Sequence, residues 1–295
     1  DVGQHAKALA LKEQTLALMK VKLGEHHPNT LTSMNNLAIS YRDTGQHAKA
    51  LALREQTLAL MKAKLGDDHP DTLSSMNKLA NSHSDLGQHA KALALREQTL
   101  ALRKVKLGED HPDTLSSMAN LAVSYGDVGQ HAKALALKEQ TLALRKVKLG
   151  EDHPDTLNSM NNLAFSYRDL GQHAKALALN EQILALRKVK LADDHPDTLS
   201  SMNNLAVSYG DLGQHAKALA LKEQTLALRK AKLGEDHPDT LSSMNNLATS
   251  YSDVGQHTKA LALNEQTLAL RKATLGEDHP DTLSSMNNLA VSYGD

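Results

Sequence analysis

The chain has 295 residues, with 33 basic and 34 acidic side chains, a net charge of −1 and no cysteine. This balance argues against a nucleic-acid surface built on bulk positive charge, and the missing cysteines exclude disulfides and thiolate metal sites. The sequence has no apolar run of about 18 residues and no signal-peptide pattern at its start. It therefore predicts a cytoplasmic protein with no membrane segment.

One unit is repeated along the whole chain. The seven prolines lie at positions 28, 70, 112, 154, 196, 238 and 280, a constant spacing of 42 residues. Seven Gly-Gln-His triplets, from 3–5 to 255–257, keep the same spacing. A fixed period of roughly 20–50 residues indicates a solenoid or a propeller. The chain lacks the alternating β-branched and aromatic runs of propeller blades, so the repeat predicts a solenoid.

Each unit contains a predicted helix that begins at the His-Pro pair, here called the first helix. In the unit from 68 to 110, His69 or Asp68 is placed to cap the helix, and Pro70 suits the first helical position. Apolar residues then recur every three or four positions, which gives the helix one apolar face. Gly87 supplies the left-handed turn that ends this segment.

The second helix of the same unit is predicted from about His89 to Leu107, before Gly108. It carries two stripes, one of Ala92, Leu95, Thr99 and Leu102 and one of Leu93, Leu100 and Leu107. Two stripes imply two packing partners, the first helices before and after it. The chain should therefore form fourteen helices, beginning with a second helix and ending with a first helix.

The predicted fold is an all-α solenoid of stacked antiparallel helical hairpins, in which neighbouring copies bury a continuous core. We expect a single repeat array over 1–295, seven periods out of phase with the hairpin, and a fragment of a longer array. Apolar residues at its two ends should be partly uncovered and support head-to-tail self-association; they are Leu16, Leu18, Leu23, Leu283, Met286 and Leu289.

The repeated sequence resembles the 42-residue tetratricopeptide repeat of kinesin light chain, and the resemblance covers the whole chain. In one unit the resemblance rests on HPDT, Asn203 to Ala206, Tyr209, Gly213, Ala218, Leu226 to Leu228, Arg229 and Leu233 to Pro238. The LSSMNNLA segment is also similar to arrays attached to nucleotide-binding immune-type receptors. The resemblance implies a right-handed superhelix whose first helices line the concave wall, where peptide segments of partner proteins lie.

The second helix departs from the family pattern at the position that is usually aromatic. Where the family usually has an aromatic residue, this chain has a polar or charged one, and the change predicts a thinner core; the residues are Lys12, Arg54, Arg96, Lys138, Asn180, Lys222 and Asn264.

Histidines and charged blocks favour structural interpretations. Fourteen of the sixteen His occupy two fixed places in the unit, where a helix cap or a solvated turn explains them, and none pairs at a metal-liganding spacing. His83 replaces a Tyr, and packing is the favoured explanation. The basic block followed by an acidic block at each second-helix end is interpreted as solvated, self-neutralising charge. Neither a metal nor another cofactor is predicted.

The polar face of the first helix is the candidate site. An asparagine row could hold an extended peptide backbone through carboxamides that both donate and accept; it comprises Asn35, Asn77, Asn161, Asn203, Asn245 and Asn287, with Ala119 as the exception. The alternative is that these side chains bond one another or the neighbouring helix. Both remain open on the sequence alone.

Two positions on this face vary among copies. One holds Ile39, Asn81, Val123, Phe165, Val207, Thr249 and Val291, and the other holds Arg42, Ser84, Gly126, Arg168, Gly210, Ser252 and Gly294. Variation there suits ligand selectivity, with Arg42 and Arg168 in the predicted site, although relaxed constraint on a solvated surface predicts the same. Near-identical copies argue against a catalytic site, which needs one unique arrangement.

The sequence therefore predicts a non-catalytic protein-protein interaction scaffold that binds peptide segments in a concave groove, with no nucleic acid or membrane among its partners. The alternative is a structural spacer or self-associating rod within a larger receptor or signalling protein. One irregular stop is Ala192, where other units have Gly. If the backbone there is left-handed, Ala has a steric cost of about 1 kcal/mol. If it is right-handed, the helix should run on further.

Overall fold

The computed structural model describes residues 2–294, with side chains from residue 7 onward. Over this range it contains fourteen α-helices and no strand: α1 (Val2–Leu23), α2 (Pro28–Asp43), α3 (His47–Leu65), α4 (Pro70–Asp85), α5 (His89–Leu107), α6 (Pro112–Asp127), α7 (His131–Leu149), α8 (Pro154–Asp169), α9 (His173–Lys190), α10 (Pro196–Asp211), α11 (His215–Leu233), α12 (Pro238–Asp253), α13 (His257–Leu275) and α14 (Pro280–Gly294). Even-numbered helices are first helices and odd-numbered ones second helices, so the predicted all-α class, number and order of helices are confirmed.

Two compact units divide the chain, residues 1–148 and residues 149–295. The first contains α1 to α6 and all of α7 except its last residue, Leu149. The second begins at Leu149 and contains α8 to α14. Inside each unit, consecutive helices pack on one another. Short connections between them are typical of antiparallel neighbours. The single array over 1–295 stays a prediction.

The histidine before each proline caps the first helix. In α4, His69 is the N-cap, its Nδ1 accepts the backbone N–H of Asp71, and Pro70 follows as the first helical residue. The same bond of 3.1–3.2 Å recurs in all seven units. The predicted cap is therefore confirmed for this histidine. The other repeated histidine is the first residue of its second helix, after a Gln N-cap whose side chain makes no capping bond.

Glycine ends most second helices in a conformation that other residues avoid. Gly108 has φ 93° and ψ 167°, a region essentially restricted to glycine. The left-handed alternative for Ala192 is excluded, because no described non-glycine residue has positive φ. The longer helix of the right-handed alternative is not found either. Instead α9 ends one residue early, and Leu191 is extended with φ −124° and ψ 158°.

Each core joins a first helix to the second helices on both sides. In the first unit, Leu73 and Met76 of α4 are fully buried against Leu58 of α3, and Leu95 and Leu102 of α5 pack onto the same cluster. The other stripe of α5, with Leu93 and Leu100, packs instead with α6. The second unit repeats the arrangement around α10 and α12. The two predicted stripes thus serve two partners.

A tyrosine near the end of the first helix links three helices. The hydroxyl of Tyr209 in α10 donates to the Glu181 carboxylate in α9 at 3.0 Å, while Lys217 Nζ of α11 lies 5.2 Å from the ring centroid. Tyr41, Tyr125 and Tyr251 are held in the same way. His83 takes this place in α4, where it is buried, as expected for packing, with Nδ1 2.8 Å from Gln88 Oε1.

Candidate peptide-binding face

The first helices expose one stripe of residues to solvent, here called the groove face. In α8 the stripe comprises Asp155, Asn158, Asn162, Phe165 and Asp169, all exposed. Their spacing of three or four residues follows the helical period, and the apolar positions lie on the opposite side. The groove face is therefore the polar surface that every first helix presents.

The predicted asparagine row lies at the edge of the groove face. Asn35 is buried, Asn77, Asn161, Asn203 and Asn245 are half-buried, and Asn287 is exposed. The fully exposed carboxamides belong to the next residue along the chain, since one residue rotates a helix by about 100°; they are Asn36, Asn120, Asn162, Asn204, Asn246 and Asn288, with half-buried Lys78 in the remaining copy.

Some predicted asparagines already have partners inside the fold. Asn35 Nδ2 donates to the Leu31 carbonyl at 3.3 Å. The Asn245 carboxamide oxygen, in the orientation that satisfies both groups, accepts from Arg271 Nη1 at 2.8 Å and Nη2 at 3.2 Å. The Oδ1 atoms of Asn77 and Asn161 are buried without a hydrogen-bond partner in the described part of the chain. The alternative of bonding to a neighbouring helix is thus realised at Asn245.

The two predicted arginines are positioned differently. Arg42 Nη2 pairs with the neighbouring Asp43 at 2.9 Å. Arg168 lies 3.8 Å from Asp211 and stacks over Phe165, with its guanidinium carbon 5.3 Å from the ring centroid. Arg168 and Asn161 line one cavity of about 80 Å³, together with Ala164, Phe165, Asn180, Asn204 and Ser208. The structure thus brings two predicted site residues together.

Sequence reasoning missed a row of buried arginines beneath this face. Arg103 of α5 donates from Nη1 to the Asp113 carbonyl at 2.8 Å and to Ser117 Oγ at 2.9 Å, both in α6. Arg187, Arg229 and Arg271 make the same pair of bonds to the following first helix. The interpretation of the basic block as solvated is wrong for Arg103, Arg187 and Arg271, which are buried, whereas Arg229 is half-buried. An Arg followed by a Ser fourteen residues later was the available pattern.

The lysines of the same block behave as predicted. Lys106 Nζ reaches the Asp68 carboxylate of the preceding loop at 2.8 Å, and the partial exposure of both side chains leaves the pair solvated. The same 2.8 Å bridge joins Lys148 to Asp110, Lys190 to Asp152 and Lys232 to Asp194. The hydrogen bond from lysine, followed by its charge, lowers the pKa of Asp68, Asp110 and Asp152.

A second row of polar side chains, buried or half-buried in the members described next, occupies the position where the family usually has an aromatic residue. Arg54 of α3 donates from Nη1 to the Lys78 carbonyl at 2.7 Å and to Ser82 Oγ at 2.6 Å in α4. Lys222, Asn180 and Asn264 donate to the equivalent carbonyl and serine. Burial lowers the pKa of Arg54 and Lys222. These residues link adjacent hairpins. From the sequence they predicted only a thinner core, and this linking role was missed.

The fold and the sequence together identify the protein family to which this chain belongs. The tetratricopeptide repeat profile matches seven overlapping segments, 1–63, 36–104, 71–146, 126–188, 155–231, 197–273 and 239–295. The chain therefore belongs to the tetratricopeptide repeat family, whose members generally mediate protein-protein interactions on a typically non-catalytic fold. Comparison with curated proteins gave no match.

Solved structures agree with this assignment. The nearly identical TPR-like repeats of a P. anserina protein described as a kinesin light chain share 35% identity and a TM-score of 0.64, over 70% of this chain and 98% of that one. BtubC (BKLC) of P. vanneervenii shares 21% identity with a TM-score of 0.67, over 79% and 94%. A STAND signal-transduction ATPase of Pyrococcus horikoshii, with a tetratricopeptide sensor, shares 16% identity with a TM-score of 0.69, over 90% of this chain and 38% of that one.

Membrane-spanning and metal-binding features do not emerge from the described residues. None of the helices within 2–294 is both long and apolar enough to cross a bilayer. Among side chains 7–294, no group of three or more His, Asp or Glu converges as a metal site would require.

Proposed function

We propose that this chain is a protein-binding scaffold that holds extended peptide segments against the groove face. The supporting observation is the position at which the seven repeats differ in sequence. The core leucines, methionines and alanines of the first helices are constant, while one mainly exposed groove-face position holds Ile39, Asn81, Val123, Phe165, Val207, Thr249 or Val291. A constant frame with a variable exposed row suits side-chain selectivity along a bound peptide.

In this proposal the asparagine row provides bonds to the peptide backbone, and the arginines select side chains. The proposed residues are Asn35, Asn77, Asn161, Asn203, Asn245, Asn287, Arg42 and Arg168. The exposed carboxamides beside them, such as Asn204, extend the same chemistry into solvent. Carboxamides donate and accept, so they match a peptide backbone without requiring a sequence. Arg168 should favour a peptide carboxylate, in competition with Asp211.

A displayed random-peptide library tests the proposal, followed by calorimetry on the selected peptides. Asn161→Ala combined with Asn203→Ala should weaken binding about tenfold, because each lost bond contributes roughly 0.5–1.5 kcal/mol, with little change in melting temperature. Gln98→Ala with Gln224→Ala, at exposed positions of second helices, is the matched control. Arg168→Glu should reverse a preference for acidic peptides. No selective retention from the library would overturn the proposal.

The second candidate is a structural spacer or self-associating rod. One observation favours it: the Asn245 carboxamide oxygen, in the orientation that satisfies both groups, already accepts from Arg271. As predicted, apolar side chains of α14 are uncovered. Leu283 is 48% and Met286 43% exposed, whereas their counterparts Leu241 and Met244 are 1% and 0% exposed. In α1, Leu18 and Leu23 are exposed as predicted.

Of the two remaining predicted end residues, one is covered and the other, Leu289, is partly uncovered as predicted. Leu16 is 6% exposed, so its predicted uncovering is wrong, because it packs into the core formed by α2. Leu289 is half-buried. For the 295-residue polypeptide we expect concentration-dependent association in sedimentation velocity, reduced by Leu283→Asp with Met286→Asp. Sedimentation as a monomer at millimolar concentration would exclude the rod. Cytoplasmic placement stays a prediction.

A further inference from the structure

Between successive first helices lies a niche that normally receives a cation from the second helix beneath it. Lys222 Nζ of α11 donates to the Asn246 carbonyl at 3.1 Å and to Ser250 Oγ at 2.6 Å. Arg96 of α5 occupies the corresponding place, and its Nη2 also donates to Asn81 Oδ1 at 2.9 Å. The niche is therefore a set of acceptors that suits an ammonium or guanidinium group.

In α9 the residue at this position is the shorter, neutral Asn180. Its Nδ2 donates to Ser208 Oγ at 2.8 Å and lies 3.5 Å from the Asn204 carbonyl, the same two acceptors. Because a carbonyl oxygen only accepts, the amide nitrogen must face it, and Asn180 Oδ1 must point elsewhere. That oxygen is buried without a hydrogen-bond partner among the described residues, in a side chain only 7% exposed.

A second orphaned acceptor lies in the same place. Asn161 Oδ1 is also buried and unpartnered within the described chain. Both asparagines line the cavity of about 80 Å³, which Phe165 and Arg168 border. A buried polar atom without a partner costs free energy, and a carboxamide oxygen can be satisfied only by a donor. The cavity is therefore suited to a group that donates hydrogen bonds.

Charge around the niche favours a cation over a neutral donor. Burial lowers the pKa of Arg96 and Lys222, and Asp127 and Asp253 respectively act against this in favour of the charged form. Asp211 holds the matching position for α9, where Arg168 and His173 also approach it. Arg168 opposes a cation in the niche.

The first unit shows that such opposition is tolerated. There Arg54 keeps its niche bonds although Arg42, the counterpart of Arg168, lies close enough to repel it.

We propose that the α8–α9–α10 niche binds the ammonium group of a lysine side chain from the bound peptide, which replaces in trans the cation that Lys222 supplies within its own chain. This inference rests on the proposed function for its ligand, but the niche can be tested without any peptide. It assigns a specificity for lysine to Asn180 and Asn161, distinct from the preference of Arg168 for carboxylates.

The test uses the full chain and n-butylammonium chloride, which carries the end of a lysine side chain. Selective ¹⁵N-asparagine labelling makes the carboxamide signal of Asn180 observable, and its loss in Asn180→Gln assigns it. We expect a saturable shift of the Asn180 and Asn161 signals in the millimolar range. Sodium chloride at equal ionic strength, and 1-butanol, which matches the shape of n-butylammonium without its charge, should produce no such shift.

Two variants locate the effect. Asn180→Lys, which introduces the side chain that α11 carries as Lys222, should reduce the affinity for butylammonium at least tenfold, measured from the Asn161 signal. Asn264→Lys, the same change in α13, should leave the Asn180 shift unchanged. Circular dichroism checks that both remain folded. The niche would be overturned by a shift that 1-butanol reproduces, by an Asn161 shift that survives in Asn180→Lys, or by a shift that never saturates. A saturable shift with n-propylguanidinium alone would also overturn the assignment to lysine.

The peptide library separates this inference from the proposed function. Peptides selected by the wild type should be enriched in lysine at one position, and Asn180→Lys should remove that enrichment while retaining peptide binding. Peptides bound without such enrichment would refute the niche and leave the scaffold intact. Binding of butylammonium with no retained peptide would refute the scaffold and leave the niche.

Discussion

The buried arginine row allows a sharp test, because the chain contains its own counterexample. Arg103 is 5% exposed and donates to the Asp113 carbonyl and Ser117 Oγ. One repeat earlier the same position holds Met61, and the corresponding serine, Ser75, has a buried Oγ with no partner in the described residues. Methionine at this position is thus compatible with the fold. The Arg103→Met variant places in this repeat the residue that the preceding repeat has naturally.

The expected change in the free energy of unfolding for Arg103→Met is the balance between lost hydrogen bonds and relieved desolvation. Hydrogen bonds from a charged group contribute roughly 1.5–3 kcal/mol, and an orphaned buried hydroxyl costs about 1–3 kcal/mol. Against these stands the desolvation of the guanidinium, since burial is the largest cause that lowers the pKa of Arg103. We expect Arg103→Met to lower the free energy of unfolding by about 1–2 kcal/mol. Adding Ser117→Ala should recover part of it, with a coupling of about 1 kcal/mol.

Urea unfolding followed by far-UV circular dichroism measures these changes. Repeat arrays unfold with nearest-neighbour cooperativity, so midpoints should be compared only where the m-values agree. Met61→Arg is the reverse experiment, and it should raise stability by about 1 kcal/mol as the new guanidinium satisfies Ser75. If Arg103→Met is neutral or stabilising, or Met61→Arg destabilises, desolvation outweighs the hydrogen bonds and the reasoning fails.

Three further outcomes are expected. His83→Tyr should add about 1 kcal/mol of stability through a bond to Glu55 and a cation–π contact; a lower urea midpoint would contradict this. Ala192→Gly should lower the free energy of unfolding by about 0.4–1 kcal/mol, because the folded backbone gains nothing and the unfolded chain gains freedom, whereas a higher melting temperature would indicate left-handed backbone. Burial and then the Glu223 carboxylate raise the pKa of Tyr251 from 10.0 to about 12. The neutral phenol is the form that folding favours, so its contribution is complete below pH 10 and lost as pH rises towards about 12. Ultraviolet titration should show a lower midpoint in Glu223→Gln, and an unchanged one would exclude the carboxylate as a cause.

The sequence alone determined the repeat unit and most of its fold. A constant 42-residue period, proline at the start of each first helix and glycine after the helices are local properties, and they fixed helix boundaries to within a residue or two. The two apolar stripes of α5 also implied two packing partners, because a helix converts sequence spacing directly into direction. The family followed from the same periodic residues.

Only the tertiary structure decided which polar side chains remain available. Neighbouring residues on a helix point about 100° apart, so the sequence could not distinguish half-buried Asn203 from exposed Asn204. The acceptors of Arg103 and Arg54 lie 10 to 28 residues further along the chain, in helices that meet only when hairpins stack. Asn180 looked like one polar variant among seven. Its unpartnered oxygen became visible only when Ser208 and Asn204 had fixed the direction of its amide.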